Sequence, residues 1–258
     1  MSGHRDEPFP KSRRVVVDAG AAARNRHTVF GLIEVDITEA ALVLAGLDPK
    51  PSLTSYVVAS TGRAVEAIPD VHALRNLRQR LIIFDDVDVN VMIEVELEGR
   101  SFPMNHVIRR CNRKSLIQID DEIRTVKLSP KTSPTMGLSR QATLFLRLPG
   151  FVRHRLIGLL HRLPERQRDL VGTVGISSVG MFGRGGGWGI GFSVQTLTMI
   201  VGGVAEKPAV VNGEIVARTF LDLSLAFDHD VVDGAPAARI VAKLKEILES
   251  GAVLPVGG

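Results

Sequence analysis

The sequence contains few of the residues that cross-link a protein or anchor it in a membrane. It has a single cysteine, Cys111, which excludes an internal disulfide, and only one tryptophan and one tyrosine. No apolar run reaches the roughly 18 residues of a membrane-spanning helix, and the opening MSGHRDEPFPKSRR lacks the apolar centre of a secretory signal. We therefore expect a soluble, cytoplasmic protein that is held together by packing rather than by covalent links.

Neither sign of charge dominates the chain. The 32 lysines and arginines stand against 28 aspartates and glutamates, without a long basic block or an aromatic recognition motif. This balance argues against nucleic acid as a partner. Since His106, His154 and His161 have no partners at metal-ligand spacing, the sequence predicts no metal site.

The hydrophobic content of 45% over 258 residues suffices for one substantial core. We interpret residues 1–14, rich in charge and proline, as a flexible tail and residues 15–258 as a single domain. The predicted strands are Val29–Ile37, Val87–Leu97, Pro103–Arg109, Thr173–Ser178, Leu197–Val204, Ala209–Ala217 and Phe220–Phe227, with helices between and after them. Such an order predicts an α/β fold, a two-layer sandwich of a mixed sheet with helices on one face.

Two local patterns refine this picture. Apolar residues alternate with polar ones along Val87–Leu97 at all positions but Met92, which predicts one covered face and one that meets solvent or another subunit. The dipeptide Asn212-Gly213 predicts a tight hairpin turn.

The segment Leu144–Leu163 is both apolar and rich in arginine, with Pro149-Gly150 interrupting it. This composition has two interpretations, a helix that lies on a membrane surface or a core helix with solvated arginines. We favour the core helix, because such helices are ordinary in soluble domains, and we expect no stable membrane association.

The segment FDHDVVDGAPAAR, residues 227–239, is the most informative in the chain. Residues Leu221 to Phe227 alternate as in a half-buried strand, and His229 continues the row predicted to be buried. Asp233 then stands as the N-cap of a helix with Pro236 in its first turn. This junction between two rigid elements can hold a catalytic base.

These residues resemble a family motif. Asp228, His229, Asp233 and Gly234 match the Asp-His-Arg-x-x-Asp-Gly signature of the dihydrolipoamide acyltransferase catalytic domains of 2-oxo acid dehydrogenase complexes, which share their fold with chloramphenicol acetyltransferase. A second family motif resembles GTVGISSVGMFG, residues 172–183, and weaker likeness extends upstream over most of the chain. Two departures stand out: Asp230 replaces the signature arginine, and residues 189–194, GIGFSV, replace a proline-rich segment that shapes the family's substrate channel.

The resemblance implies an enzyme of the coenzyme A-dependent acyltransferase class. It implies catalytic roles for His229, Ser177 and Asp233, and we expect Ser178, Gly180 and Trp188 to contact substrate. It also implies a homotrimer or a multiple of trimers, since in the family the histidine and the hydroxyl meet across a subunit boundary. No cofactor is expected to be bound permanently: coenzyme A serves as a substrate. We expect neither a lipoyl domain nor a subunit-binding domain in this chain, so a lipoyl group would arrive on another protein.

The chemistry fits these residue types. An imidazole with a pKa near 6.5 can take a proton from a thiol whose pKa is about 8.5, whereas a carboxylate near 4 is poorly matched. His229 is therefore the candidate base, and a fixed hydroxyl such as that of Ser177 can stabilise the developing oxyanion.

Several alternatives stay open at this point. Asp233 either holds the loop of His229, through an arginine such as Arg13 or Arg14, or is a plain helix cap. Asp230 would weaken His229 as a base unless its carboxylate points away, as strand parity predicts. The glycine-rich residues 183–191 follow no phosphate-binding pattern, and we interpret them as a flexible loop. The chain as a whole is either an acyltransferase, whose acceptor is a dihydrolipoyl group or another small molecule, or a catalytically weak scaffold subunit of such a complex.

Overall fold

A computed structural model describes residues 3–10, 13–24, 26–97, 100–130, 144–178 and 185–255. The helices are α1 (Arg13–Ala23), α2 (Thr38–Gly46), α3 (Leu53–Ala67), α4 (Leu116–Leu128), α5 (Gly150–Leu160), α6 (Pro164–Val171) and α7 (Gly234–Ser250), with 3-10 turns at Pro69–His72 and Cys111–Arg113. The strands are β1 (Thr28–Asp36), β2 (Leu74–Arg75), β3 (Leu81–Ile82), β4 (Val89–Leu97), β5 (Arg100–Ile108), β6 (Val174–Ser178), β7 (Leu197–Val211) and β8 (Glu214–Asp228). Helix α1 thus begins inside the region predicted to be a flexible tail.

Six strands form one mixed sheet in the order β1-β8-β7-β6-β4-β5, and β2 pairs with β3 separately. Strand β6 runs parallel to β4 and β7, while the other pairs are antiparallel. Helices α3, α4 and α7 pack together and against the sheet, where apolar side chains of both layers form a continuous core. The predicted fold class, an α/β sandwich with its helices on one face, is confirmed.

Local sequence explains where the main helices begin and end. The Ser52 hydroxyl accepts the backbone N–H of Ser55 at the start of α3. Ser115 and Gln118 form a capping box that begins α4, a pattern that satisfies two otherwise unpaired donors. Helix α7 ends at Gly251 in a left-handed conformation, which a glycine adopts without steric cost.

The longest feature of the sheet is the β7–β8 hairpin, which turns at the predicted Asn212-Gly213. Both turn residues have positive φ, 53° and 89°, as the tight hairpin turns of this sequence type require. The expectation of a separate strand Ala209–Ala217 is wrong, because the turn divides it and β7 continues unbroken through Pro208. Pro208 is tolerated because β6 pairs with β7 only as far as Val201, so its missing N–H has no partner on that side.

Burial along β4 follows the predicted alternation: Val89, Val91, Ile93 and Val95 are buried while Met92 is 43% exposed. Strand β8 differs, because every residue from Leu221 to Asp228 is buried. The half-buried pattern predicted there is wrong, since part of the connection between β6 and β7 crosses the second face of this strand.

The segment 144–163 corrects another expectation. Helix α5 begins at Gly150 after Pro149 and packs on α1. Arg153 is buried on α5, whereas Phe151, Leu156 and Leu159 are exposed. The interpretation as a core helix with solvated arginines is therefore wrong: α5 is a surface helix attached to α1 by a buried ion pair of Arg153 with Asp18. Within the described ranges, none of the helices is long and apolar enough to span a membrane.

Candidate active site

The turn that follows β8 presents His229 and Asp233 on the surface of the chain. Nε2 of His229 lies 4.0 Å from Oδ1 of Asp233, and the two side chains are 43% and 88% exposed. Asp233 also caps α7, since its carboxylate accepts the backbone N–H of Gly234 at 2.7 Å. The expectation that His229 lies in the buried row is wrong. The strand ends at Asp228, and His229 lies in the turn that follows, where its side chain is exposed.

The residues that precede β1 hold this turn in place. Strand β1 pairs with β8 so that Thr28 lies opposite Asp228, which brings Arg26 and His27 alongside the turn. The guanidinium of Arg26 donates to Oδ2 of Asp228 at 2.5 Å, and the backbone N–H of His229 donates to the carbonyl of His27 at 2.8 Å. One contact therefore fixes the side chain of Asp228, which precedes His229, and the other fixes the backbone of His229 itself.

Burial lowers the pKa of Arg26, while the Asp228 carboxylate acts in the opposite direction. An arginine with this partner stays charged at neutral pH. Oδ1 of Asp228 accepts the backbone N–H of Asp230 at 3.2 Å, so both oxygens of this carboxylate are occupied.

The carboxylate of Asp230, which replaces the arginine of the family signature, is turned toward other cations. Its Oδ1 lies 2.8 Å from Nδ1 of His27, and its Oδ2 lies 3.5 Å from the Arg75 guanidinium. The hydrogen bond lowers the pKa of Asp230 and raises the pKa of His27. The prediction that Asp230 points away from His229 agrees with these contacts.

Asp233 does not pair with either of the two arginines that the sequence suggested as its partner. Arg13 and Arg14 begin α1 as exposed residues, and among the described residues only His229 pairs with Asp233. The arginine from the N-terminal region that reaches this turn is Arg26, and it pairs with Asp228. Sequence reasoning missed Arg26; its place just before β1 identifies it only once the β1–β8 pairing is known.

Ser177 lies far from His229 within one chain. It sits on β6 opposite Ile200 of β7, which in turn lies opposite Ser224 of β8. His229 is five residues further along β8, so the two residues are separated by about 17 Å along the strand and about 10 Å across two strand spacings. Ser177 and the adjacent Ser178 are half-buried. Gly180 lies outside the described residues.

Trp188 packs on the sheet rather than beside His229. Its indole N–H donates to the carbonyl of Ile33 at 3.1 Å, and the ammonium of Lys207 lies 5.6 Å from the ring centroid. We call residues 185–191 the glycine loop. Its residue Gly187 donates to the buried carboxylate of Asp222 at 2.5 Å and accepts the N–H of Gly203 at 2.8 Å, so the loop lies directly on the hairpin strands.

Cys111 is buried, and its thiol donates to the carbonyl of Val58. Burial raises the pKa of this thiol to about 12, which leaves it protonated and structural. His106 and His154 each face one carboxylate, Glu122 and Asp18 respectively. Across the described part of the chain, groups of three or more metal-ligating side chains do not come together.

Comparison with known proteins agrees with the fold and the motif. Residues 165–254 match the family model of the 2-oxoacid dehydrogenases acyltransferase catalytic domain. The chain is 22% identical over 201 residues to a dihydrolipoyllysine-residue acetyltransferase of the pyruvate dehydrogenase complex from Rickettsia prowazekii, covering 78% of this chain and 41% of that protein. It is 34% identical over 102 residues to the mitochondrial succinyltransferase of the 2-oxoglutarate dehydrogenase complex from Saccharomyces cerevisiae, covering 38% and 22%. The chain thus spans about two fifths or less of these relatives.

Solved structures resemble almost the whole chain. The cubic core of a pyruvate dehydrogenase complex superimposes with a TM-score of 0.73 at 19% identity, covering 98% of this chain and 95% of the other. The dihydrolipoamide acetyltransferase of Azotobacter vinelandii gives the same score and identity and covers 98% and 94%. Chloramphenicol acetyltransferase is more distant, with a TM-score of 0.51 at 13% identity, covering 96% and 100%.

The fold is that of the chloramphenicol acetyltransferase-like acyltransferases. More narrowly, the predicted resemblance is confirmed: the C-terminal part matches the catalytic domain of the dihydrolipoamide acyltransferases of 2-oxo acid dehydrogenase complexes, and the fold of the chain is that of their cores.

Proposed function

We propose that the chain is an acyltransferase that moves an acyl group between coenzyme A and a second thiol, such as a dihydrolipoyl group carried by another protein. The active unit is a homotrimer or a multiple of trimers, in which His229 of one protomer faces Ser177 of the next. Within one chain, these side chains are about 20 Å apart by the strand spacings given above, whereas joint action on one carbonyl needs both within a few ångströms. That separation is the observation that carries the proposal.

The spacing of the three residues supports the same assignment. In the Azotobacter vinelandii enzyme, a serine, a histidine and an asparagine have been investigated for their role in the catalytic mechanism; the histidine follows the serine by 52 residues, and the asparagine follows the histidine by four. Ser177, His229 and Asp233 have the same spacing. This chain has aspartate where that enzyme has asparagine, so the group beside the histidine carries a charge here.

The proposed reaction proceeds in balanced steps. The imidazole of His229 takes the proton of the attacking thiol, and the thiolate adds to the thioester carbonyl. The hydroxyl of Ser177 donates a hydrogen bond to the resulting oxyanion. The intermediate then expels the second sulfur as a thiolate, which receives the proton from the imidazolium. Asp233 stabilises that imidazolium and keeps the turn at the start of α7.

A complementation experiment tests the subunit arrangement. His229→Ala and Ser177→Ala are each expected to lower thioester exchange with coenzyme A by about 10²-fold or more. Unfolding and reassembly of the two variants together should restore about a quarter of wild-type activity, because a random mixture completes that fraction of the interfaces. His4→Ala, an exposed histidine of the N-terminal segment, is the matched control and should keep full activity.

If each site were formed within one chain, no mixture of the two variants would regain activity. The assembled mass, measured by native mass spectrometry, should equal three chains or a multiple of three. Full activity of His229→Ala would overturn the catalytic assignment.

The second candidate function is a catalytically weak scaffold subunit of the same kind of complex. The observation in its favour is Asp230, whose charge is opposite to that of the family arginine and is already neutralised by His27 and Arg75. Wild-type protein that assembles but neither binds coenzyme A nor exchanges thioesters would support this function and exclude the first.

A further inference from the structure

A cleft of about 470 Å³ lies against the turn that follows β8. Helices α1 and α5, the β2–β3 hairpin and the turn after β8 form its walls. Asp228 and Asp230, the two chain neighbours of His229, line the cleft, whereas His229 does not. Its volume is within the usual range for small-molecule sites, about 300 to 1,000 Å³. The cleft is therefore separate from the site proposed for acyl transfer.

The carboxylates that line the cleft are all neutralised. Asp18 is bound by Arg153 at 2.7 Å and by His154 at 3.0 Å, and these contacts lower its pKa against the effect of burial. Asp228 pairs with Arg26, and Asp230 pairs with His27 and Arg75 as described above. None of these acids is left to balance a further cation.

Two further arginines line the same cleft, and their positive charges are not balanced by a carboxylate of the described residues. Arg24 follows α1 and Arg162 follows α5, and both side chains are exposed. Neither guanidinium pairs with a carboxylate anywhere in the described chain. The cleft therefore carries two uncompensated positive charges beside three neutralised pairs.

A buried glutamine also lines the cleft. Gln167 is fully buried, and neither its amide oxygen nor its amide nitrogen makes a well-formed hydrogen bond with the described residues. Beside it, burial and then Arg26 lower the pKa of His161, against a smaller opposing effect of Gln167. At neutral pH His161 therefore contributes a hydrogen-bonding ring without charge.

We propose that this cleft binds a small organic phosphate ester. A phosphate monoester carries nearly two negative charges at neutral pH and so balances the two free guanidiniums, which bind phosphate oxygens in pairs. A single carboxylate would balance only one of them. Ile157 and Val231 in the walls are both half-buried and provide apolar surface for the organic part of the ligand.

Isothermal titration of the full chain with phenyl phosphate tests the proposal, with inorganic phosphate and benzoate as comparison ligands. Phenyl phosphate should bind more tightly than either, because inorganic phosphate lacks the apolar body and benzoate has only one charge. Arg24→Gln and Arg162→Gln should each weaken binding by about tenfold or more, the usual effect of a charged hydrogen bond. The matched control is Arg155→Gln, an exposed arginine of α5 that does not line the cleft, and it should change affinity less than twofold.

A second readout comes from the imidazole resonances of His161 in an NMR titration. The bound dianion should raise the pKa of this ring, which weak association elsewhere on the surface would not do. His229→Ala should retain the affinity for phenyl phosphate, so that loss of catalysis and loss of the cleft ligand are distinguishable. The proposal is overturned if wild-type protein does not bind phenyl phosphate, if benzoate binds equally well, or if Arg155→Gln weakens binding as much as the cleft variants.

Discussion

The ion pair between Arg26 and Asp228 offers a quantitative test of what holds the catalytic turn. Its two atoms are 2.5 Å apart, and the side chains are only 14% and 9% exposed. Replacing Arg26 by glutamine leaves a buried carboxylate whose remaining donor is the backbone N–H of Asp230. Removing one partner of a buried pair typically costs about 3 to 5 kcal/mol.

We expect Arg26→Gln to lower the free energy of unfolding by about 3 kcal/mol, the lower end of this range. Part of the cost is offset because no charged guanidinium has to be buried and because the glutamine can form one neutral hydrogen bond. With an unfolding slope of about 3 kcal/mol per molar urea, the midpoint should fall by about 1 M. All variants are compared at one protein concentration, since assembly shifts apparent stability.

Asp228→Asn and the double variant complete a cycle that isolates the pair. The double variant should be more stable than the sum of the single losses predicts, by about 1 kcal/mol or more, because it leaves no unpaired buried charge. Arg78→Gln, an exposed arginine of the β2–β3 turn, is the control and should stay within about 0.5 kcal/mol of wild type. An Arg26→Gln midpoint equal to that of the control would refute this account of the turn.

Three further predictions concern other contacts. The pKa of His27 is raised in the folded state, so its pairing with Asp230 stabilises the fold below the unfolded pKa of 6.5, and this stabilisation is lost as the pH rises through the folded pKa. The pKa of Asp230 is lowered in the folded state, so the stabilisation that comes from its carboxylate is lost only at acid pH. The stability difference between wild type and His27→Gln should therefore be larger at pH 5.5 than at pH 8.5 in urea titrations. Tyr56→Phe should cost about 1 to 2 kcal/mol, because its hydroxyl donates at 2.7 Å to the carbonyl of Leu248 near the end of α7, where intrahelical partners run out. Gly202→Ala should lower the melting temperature by several degrees, since its Cβ would lie 2.2 Å from a carbonyl oxygen of the glycine loop; an unchanged melting temperature would exclude that close approach.

Much of the fold was predictable from periodicity and turn chemistry. The alternation in β4 and the positive-φ pair Asn212-Gly213 depend on residues within a few positions of one another, so the sequence carries them directly. The same reasoning failed for β8, whose alternating pattern is real but whose second face is covered. At Asp222 the cover is the glycine loop and at Asp228 it is Arg26, both of which come from other parts of the chain.

In the candidate site, too, the sequence predicted the features that depend on neighbouring residues and missed those that depend on distant ones. The motif predicts the turn, the helix cap at Asp233 and the spacing to Ser177, all of which are properties of the chain in order. It did not predict that His229 is 43% exposed or that Asp230 is held by His27 and Arg75.

By itself, the sequence determined most of the long strands, the cap at Asp233, the tight turn and the ordered set of Ser177, His229 and Asp233. The tertiary structure decided that Arg26, and not Arg13 or Arg14, reaches the turn, and that Arg153 is buried while Phe151 is exposed. Local structure follows from torsional preferences and side-chain period over a few residues. Ion pairs such as Arg26 with Asp228, 202 positions apart, depend on the register of strands that only the folded sheet establishes.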